Sequence, residues 1–127
     1  MRPVLLLVKF QLGNYTDVLF NNANIMLEIR PNCEYCDKDL LPNAIDACIC
    51  TYECTFCRDC VDNILHNVCP NCGGGFTTRP IRPKTAHRDG LSLQHQTAST
   101  KRVNTQYTLD DISKFSNSLK RKPPETR

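Results

Sequence analysis

The segment Cys54-Thr-Phe-Cys57-Arg-Asp-Cys60, followed by Cys69-Pro-Asn-Cys72, decides the fold of this 127-residue chain. Upstream stand Cys33-Glu-Tyr-Cys36 and Cys50, and no cysteine lies outside the stretch 33–72. A Cys-x-x-Cys turn lets two sulfur atoms converge on one tetrahedral ion, and Zn²⁺ takes four such ligands at about 2.3 Å. The spacing therefore predicts a small domain that is built around metal.

A metal is needed because the cysteine-rich segment has few apolar side chains. A domain of about 60 residues rarely folds on such a core without metals or disulfides. The candidate core residues are Leu27, Ile29, Leu40, Leu41, Ile45, Ile49, Tyr52, Phe56, Val61, Ile64, Leu65, Val68 and Phe76.

Disulfides are the alternative cross-link, and the sequence disfavours them. The amino terminus has a five-residue apolar run, Val4–Val8, whereas a signal peptide has about 7–15 apolar residues and a small-residue cleavage site. No stretch approaches the roughly 20 apolar residues of a membrane span. The nine cysteines are also an odd number. We therefore expect a cytoplasmic protein with bound metal and no membrane contact.

The net charge of +3 conceals a division along the chain. Residues 1–78 carry five basic against nine acidic residues, a net charge of −4, and residues 79–127 carry eleven against four, a net charge of +7. Eight ligating thiolates with two Zn²⁺ ions would make the first part more negative by four charges. We expect the basic tail to lie transiently against the acidic domain at low ionic strength when no partner is present.

The composition divides the chain into three segments. Residues 1–25 form an N-terminal extension, residues 26–82 the cysteine domain, and residues 83–127 a basic tail that its polar composition predicts to be disordered. Within that tail, Thr108-Leu-Asp-Asp111 resembles a capping box that opens a short helix over residues 109–119. Deletion of either end is expected to leave the domain's stability nearly unchanged.

Two elements are predicted inside the domain. Ala47–Glu53 alternates small and apolar residues, which favours a strand paired as a hairpin with the segment 40–45. Four apolar residues with helical spacing predict a short helix over residues 58–67, and Pro70 with the following glycines ends regular structure.

The order of ligands along the chain predicts an alternating arrangement. A Cys-x-x-Cys turn, a hairpin and a helix N-terminus together form a treble clef, so the first and third ligand pairs share one ion. The alternative is sequential, with the first four ligands on one ion and the last four on the other. The predicted first site is Cys33, Cys36, Cys57 and Cys60, and the second is Cys50, Cys54, Cys69 and Cys72.

Sites with four thiolate ligands leave no position for water or substrate, so two structural rather than catalytic Zn²⁺ ions are expected. The predicted fold is a small α+β domain: a metal-stabilised treble clef, or RING-like cross-brace, with one β-hairpin and one short helix, flanked by poorly ordered termini. This predicts a protein that is not an enzyme.

The run from Cys54 to Cys60, then Leu65 and Cys69-Pro-Asn-Cys72, resembles the second half of a RING finger with Cys in place of the usual His. The whole stretch from Met26-Leu-Glu-Ile-Arg-Pro-Asn-Cys33 to Cys69-Pro-Asn-Cys-Gly-Gly74 closely resembles a family of small bacterial proteins, domain of unknown function 1272. The resemblance covers residues 26–82 and implies a bacterial cytoplasmic protein without a known activity. Such proteins typically begin where Met26 lies, so residues 1–25 would be an extension or a mis-assigned start.

The RING resemblance also implies a ubiquitin-ligase alternative. Tyr35, Leu65 and Pro70 occupy places where a RING presents its groove for the conjugating enzyme. Gly73, however, stands where active ligases often carry a basic residue, and a bacterial context usually lacks that partner. The sequence therefore favours a non-enzymatic module that binds another protein.

Two further functions stay open at this stage. The basic clusters Lys101-Arg102 and Lys120-Arg121-Lys122 could neutralise nucleic-acid phosphates. A thiol or zinc redox sensor would need labile cysteines. Cys48, the one cysteine of the nine that is not a predicted ligand, is expected to be a small residue of the strand. The alternatives are that Cys48 is a ligand in place of Cys50 or that it is a reactive thiol. His66 falls outside the apolar stripe and is expected to be exposed.

Overall fold

The computed structural model describes residues 26–127, which form a small α+β structure with a three-stranded antiparallel sheet and two helices. The predicted extension, residues 1–25 with the apolar run Val4–Val8, lies outside the described residues. The elements are β1 (Ala47–Ile49), β2 (Thr55–Cys57), α1 (Arg58–Cys60) continued by a π-helical turn (Val61–Leu65), β3 (Thr77–Thr78), α2 (Leu109–Leu119) and a 3₁₀ turn (Pro124–Thr126).

The sheet has the order β2-β1-β3, with β1 in the centre. Cys48 of β1 lies opposite Phe56 of β2 and Thr78 of β3. The predicted strand is present but shorter, and the hairpin partner expected at residues 40–45 is wrong. β1 pairs with the segment that follows it, because the three residues between Cys50 and Cys54 form a turn that brings the Cys50 N–H within hydrogen-bonding distance of the Cys54 carbonyl (N···O 3.2 Å).

The helix that follows β2 is shorter than the one predicted over residues 58–67, and its second part is a wider, π-helical turn. α1 begins directly after Cys57 and passes into a π-helical turn that ends at Leu65. His66 and Asn67 both have positive φ angles (51° and 60°), so the backbone turns left-handed there and the helix cannot continue. Leu65 and Val61 are buried while His66 is exposed, as the apolar spacing predicted.

The first Cys-x-x-Cys turn is held by a backbone loop of its own. Leu40 N–H donates to Pro31 O (2.7 Å), and Cys33 N–H donates to Lys38 O (2.8 Å). These bonds close residues 31–40 into a narrow loop, and Asp37 in its turn has a φ of 66°. The loop directs Cys33 and Cys36 toward the sheet.

The core contains most of the cysteines together with a few large apolar side chains. Phe56 packs edge-to-face on Phe76, with ring centroids 5.5 Å apart. Three predicted core residues are exposed instead: Leu41, Ile45 and Tyr52. The buried apolar members other than cysteine are Ile29, Leu40, Ala47, Ile49, Phe56, Val61, Leu65, Val68 and, from outside the predicted domain, Ile112.

The C-terminal segment, residues 83–127, differs most from expectation. It is ordered, and it packs along the cysteine domain. Residues 99–105, the strap, run beside the first cysteine loop: Ser99 N–H donates to Ile29 O (2.9 Å), and Thr105 N–H donates to Glu34 O (2.8 Å). The buried side-chain amide of Asn32 exchanges two hydrogen bonds with the Val103 backbone (2.9 and 3.2 Å). Backbone pairing therefore holds a segment whose composition alone predicts disorder.

An ion pair strengthens the strap at the place where charges of opposite sign meet. The Arg102 guanidinium lies 3.0 Å from the Asp37 carboxylate and 2.7 Å from that of Asp39. Hydrogen bonds from Asn104 and Arg102 hold the pKa of Asp37 below its usual range. The structure shows a contact of this kind at Arg102, and the transient, salt-dependent association expected of the tail stays a prediction.

The helix predicted over residues 109–119 is present as α2, with a capping box at its start. Thr108 Oγ1 accepts from Asp111 N–H (3.1 Å), and the Asp111 carboxylate accepts from Thr108 N–H (3.2 Å). Ser116 Oγ donates to the Leu65 carbonyl (3.1 Å) and so caps the end of the π-helical turn. The cysteine domain thus supplies the partner surface that α2, a helix of 11 residues, needs to be stable.

Because Ile112 is 1% exposed and belongs to the same core cluster as the cysteines, Ile112→Ala is expected to destabilise the whole protein. A buried Ile-to-Ala change costs about 2–5 kcal/mol. Leu109→Ala, on the same helix at 51% exposure, is the matched control and should change the melting temperature little. Equal melting temperatures for the two variants would contradict the packing of α2 on the domain.

Among residues 26–127, no helix is long and apolar enough to cross a lipid bilayer.

Candidate metal centre

Four cysteines from distant parts of the chain form the first cluster, which we call centre 1. The narrow loop contributes Cys33 and Cys36, the end of β2 contributes Cys57, and α1 contributes Cys60. Their four sulfur atoms all lie within 4.8 Å of one another. The group joins the first and third pairs along the chain, so the sequential grouping of Cys33 and Cys36 with Cys50 is not the one observed.

The geometry of centre 1 fits a tetrahedral metal ion. Four sulfurs placed about 2.3 Å from a central Zn²⁺ stand about 3.8 Å apart along each edge of the tetrahedron. The Sγ atoms of Cys36 and Cys57 are 3.8 Å apart. Three of the four cysteines are buried and Cys36 is exposed, so the cluster lies just beneath the surface. Centre 1 can hold a metal ion.

The protonation of centre 1 shows why a cation suits it. Burial raises the pKa of the Cys33 thiol, and the neighbouring Cys57 charge raises it further, although backbone N–H groups oppose this. Burial and the Cys33 charge raise the pKa of Cys60 well above its usual range. Burial also acts on Cys36, but hydrogen bonds from the Lys38 backbone and from neighbouring thiols outweigh it and lower its pKa. Without a cation the cluster therefore resists holding several thiolates at once.

The second cluster, centre 2, joins the end of β1 to the last Cys-x-x-Cys turn. The sulfur atoms of Cys50, Cys69 and Cys72 lie within 4.8 Å of one another. Backbone amides point at two of them: Tyr52 N–H donates to Cys50 Sγ and Gly74 N–H to Cys72 Sγ, both at 3.3 Å. Three convergent sulfurs, two of which receive backbone N–H groups, can also hold a metal ion.

Cys54, the fourth predicted ligand of the second site, is not part of this mutually close group. Its thiol interacts with those of Cys50 and Cys69, so it lies beside the cluster. Hydrogen bonds from Cys54 and Cys69 lower the pKa of Cys50 to about 4, and the Cys50 interaction raises the pKa of Cys54 and Cys69. The assignment of centre 2 as a four-ligand site stays a prediction.

Cys48 lies in neither cluster. It is fully buried in the middle of β1, and burial raises the pKa of its thiol. A raised pKa and lack of solvent contact disfavour a reactive thiol. All nine cysteines are free, so no disulfide cross-links the domain.

Two polar residues inside the Cys-x-x-Cys turns were missed by the sequence analysis. Glu34 follows Cys33 and is 2% exposed, and Asn71 lies between Cys69 and Cys72. The Asn71 amide donates to Glu34 Oε1 (3.3 Å) and also hydrogen-bonds to the Cys54 thiol, which acts to lower the pKa of Cys54. Only the cysteine spacing carries a signal in sequence, because the residues between ligands usually face solvent.

A third missed residue is Arg79, which is 1% exposed. Its guanidinium donates to the Arg30 and Leu41 carbonyls (both 2.8 Å) and so ties the first cysteine loop to the end of β3. Burial lowers the pKa of Arg79, partly offset by the Asp46 carboxylate.

Comparison with known proteins agrees with the cysteine pattern. The family described as "Protein of unknown function (DUF1272)" matches residues 26–82. An uncharacterised protein of Rhizobium meliloti (strain 1021) is 51% identical over 78 residues, which cover 61% of this chain and 86% of the relative. The chain therefore belongs to this family, as the resemblance of its cysteine segment predicted. No solved structure matches the chain.

Proposed function

We propose that the protein is a non-enzymatic module, held in a treble-clef or RING-like cross-brace by two structural Zn²⁺ ions, that binds another protein. The observation that carries this proposal is the four-sulfur cluster of centre 1. An ion held by Cys33, Cys36, Cys57 and Cys60 would have all four coordination positions filled. Such an ion stabilises the fold and has no position for a substrate.

The exposed apolar residues support a protein partner. Ile45 is 84% exposed and Leu41 is 67% exposed, and both lie in the loop that precedes β1. A domain with so small a core gains stability from each apolar side chain that it buries, about 1.5–3 kcal/mol for a Leu or Ile. Exposure of two such residues on one loop favours a surface that a partner covers.

The test compares full-length protein with the variant Leu41→Ser/Ile45→Ser, both loaded with zinc and immobilised. A partner recovered from a bacterial extract should be retained by the parent protein, and the purified partner should bind the variant at least about tenfold more weakly. Leu91→Ser, which changes a residue 54% exposed outside this loop, is the control and should bind normally. Equal binding by all three proteins would contradict the role of this loop.

Nucleic acid is the second candidate, and one observation favours it. Lys120, Arg121 and Lys122 are all exposed at the end of α2. Arg102 is engaged with Asp37 and Asp39, so it does not add freely to a phosphate-binding surface. Binding of DNA or RNA that weakens with added salt, and that is lost in a Lys120→Gln/Arg121→Gln/Lys122→Gln variant, would favour this candidate over the first.

A further inference from the structure

Glu34 is a buried carboxylate that lies between the two cysteine clusters. The apolar packing of the core does not explain why a charged side chain is buried there. It follows Cys33 of centre 1 directly, and its side chain is 2% exposed. A carboxylate is rarely buried unless it is paired and hydrogen-bonded. Its partners therefore indicate what it holds in place.

Each hydrogen-bond partner of the Glu34 side chain lies beside a cysteine or just before the first cysteine loop. Oε2 accepts from Thr55 N–H (2.7 Å), and Thr55 directly follows Cys54. Oε1 accepts from the Asn71 amide (3.3 Å), which stands inside the last Cys-x-x-Cys turn. Arg30 Nη1 donates to Oε2 (2.7 Å) and offsets the buried charge.

The Glu34 backbone closes the same connection. Its N–H donates to Thr55 O (2.9 Å), so Glu34 and Thr55 are joined by both main chain and side chain. The residue after one centre 1 cysteine is thus bound to the residue after Cys54 and to the residue between two cysteines of centre 2. A shift of the first loop would move the donors that hold the second cluster.

We propose that Glu34 is a positioning residue that couples the two metal centres, so that an ion in centre 1 preorganises centre 2. When centre 1 is filled, Cys33 and Cys36 are fixed, and the carboxylate between them is held where Thr55 and Asn71 can donate to it. Centre 2 then loses less conformational entropy when its own ion binds, which raises its affinity for Zn²⁺. This inference rests on the proposed function, because it requires both centres to bind Zn²⁺.

The coupling is measured by the population of the one-zinc protein. Two independent equal sites at half saturation leave about half of the molecules with one ion, whereas a tenfold coupling lowers this fraction to about a quarter. Native mass spectrometry of the full chain, titrated with zinc alone after metal removal, counts the species with no, one and two ions.

Glu34→Gln keeps the size of the side chain, but it replaces one acceptor oxygen by an NH₂ group that faces the hydrogen-bond donors of Thr55, Asn71 or Arg30. We expect the one-zinc fraction to rise about twofold over that of the parent protein, while two ions still bind at excess zinc. Glu28→Gln is the matched control, because Glu28 also pairs with Arg30 (3.2 Å) and the change removes the same charge. Leu40→Ala weakens the shared core without touching Glu34, and it should lower zinc affinity without raising the one-zinc fraction.

Asn71→Ala is the second variant, because Asn71 is exposed and its loss should be tolerated by the fold. It removes the link from Glu34 to centre 2 and should also raise the one-zinc fraction. If Glu34→Gln does not fold, this variant decides the matter. Equal one-zinc fractions in Asn71→Ala, in any folded Glu34→Gln and in the parent protein would overturn the coupling. A parent protein that binds no second ion would instead overturn the proposed two-zinc function.

Discussion

Native protein is expected to contain two zinc ions per chain, and their removal by a chelator is expected to unfold the cysteine domain. Structural zinc contributes about 10–16 kcal/mol in zinc-finger peptides near pH 7. A small domain has a net stability of only about 5–15 kcal/mol, so loss of both ions exceeds what the remaining core can offset. Metal content by elemental analysis and circular dichroism during chelation check this result.

The C-terminal helix provides an internal reporter for the same experiment. α2 is held by Ile112 in the core and by the Ser116 contact to Leu65, which lies at the end of the π-helical turn after Cys60. An isolated helix of 11 residues is marginal in water, so α2 should melt together with the metal centres. Readdition of zinc under reducing conditions should restore both signals.

Disulfide-bonded protein would give the opposite outcome. A metal-free chain that melts cooperatively and resists chelators, with cysteines that do not react with thiol reagents after unfolding, would contradict structural zinc. The free cysteines and their grouping in two clusters lead us to expect full thiol reactivity once metal is removed.

The sequence predicted the grouping around centre 1 because chain geometry constrains it strongly. A Cys-x-x-Cys turn can bring its two sulfurs together only in a few ways, and the apolar spacing after Cys60 identifies a short helix at whose start the other pair lies. The exact partner of β1 carried no such signal. β2 is only three residues long, and all three are buried, so no alternation distinguishes it.

The order of residues 83–127 could not be predicted from composition. Few large apolar residues stand in this segment, and burial of Ile112 alone would not order it. The strap is held by main-chain hydrogen bonds to Ile29 and Glu34 and by the side chain of Asn32, and such bonds depend on register rather than on hydrophobicity. Removal of this segment should therefore destabilise the domain, contrary to the expectation from sequence.

The burial of polar residues inside the core could not be predicted from the sequence either. Glu34 and Arg79 belong to residue types that are almost never fully buried unless they are paired. Each is placed by carbonyl or amide groups from segments 20 or more residues away, among them Thr55 for Glu34 and Arg30 for Arg79. Sequence patterns that describe local periodicity contain no information on such distant partners.

The pairing of ligands predicts a second large effect, which double variants resolve. Cys33→Ala/Cys57→Ala removes two ligands from one predicted site, so at excess zinc the protein should retain one ion. Cys33→Ala/Cys69→Ala removes one ligand from each site and should retain none, with loss of the cooperative fold. Excess zinc is required because loss of centre 1 also weakens centre 2 if the two are coupled.

Two single variants complete this comparison. Cys48→Ala changes a buried cysteine outside both clusters, so it controls for the loss of a thiol and should retain two ions. Cys54→Ala should retain only one ion if Cys54 is the fourth ligand of the second site, whereas retention of two would leave that site with Cys50, Cys69 and Cys72. If Cys33→Ala/Cys50→Ala retains one ion and Cys33→Ala/Cys57→Ala retains none, the ligands are paired sequentially and the alternating arrangement is wrong. The alternating arrangement requires the reverse, because it places Cys33 and Cys57 in one site and Cys50 in the other.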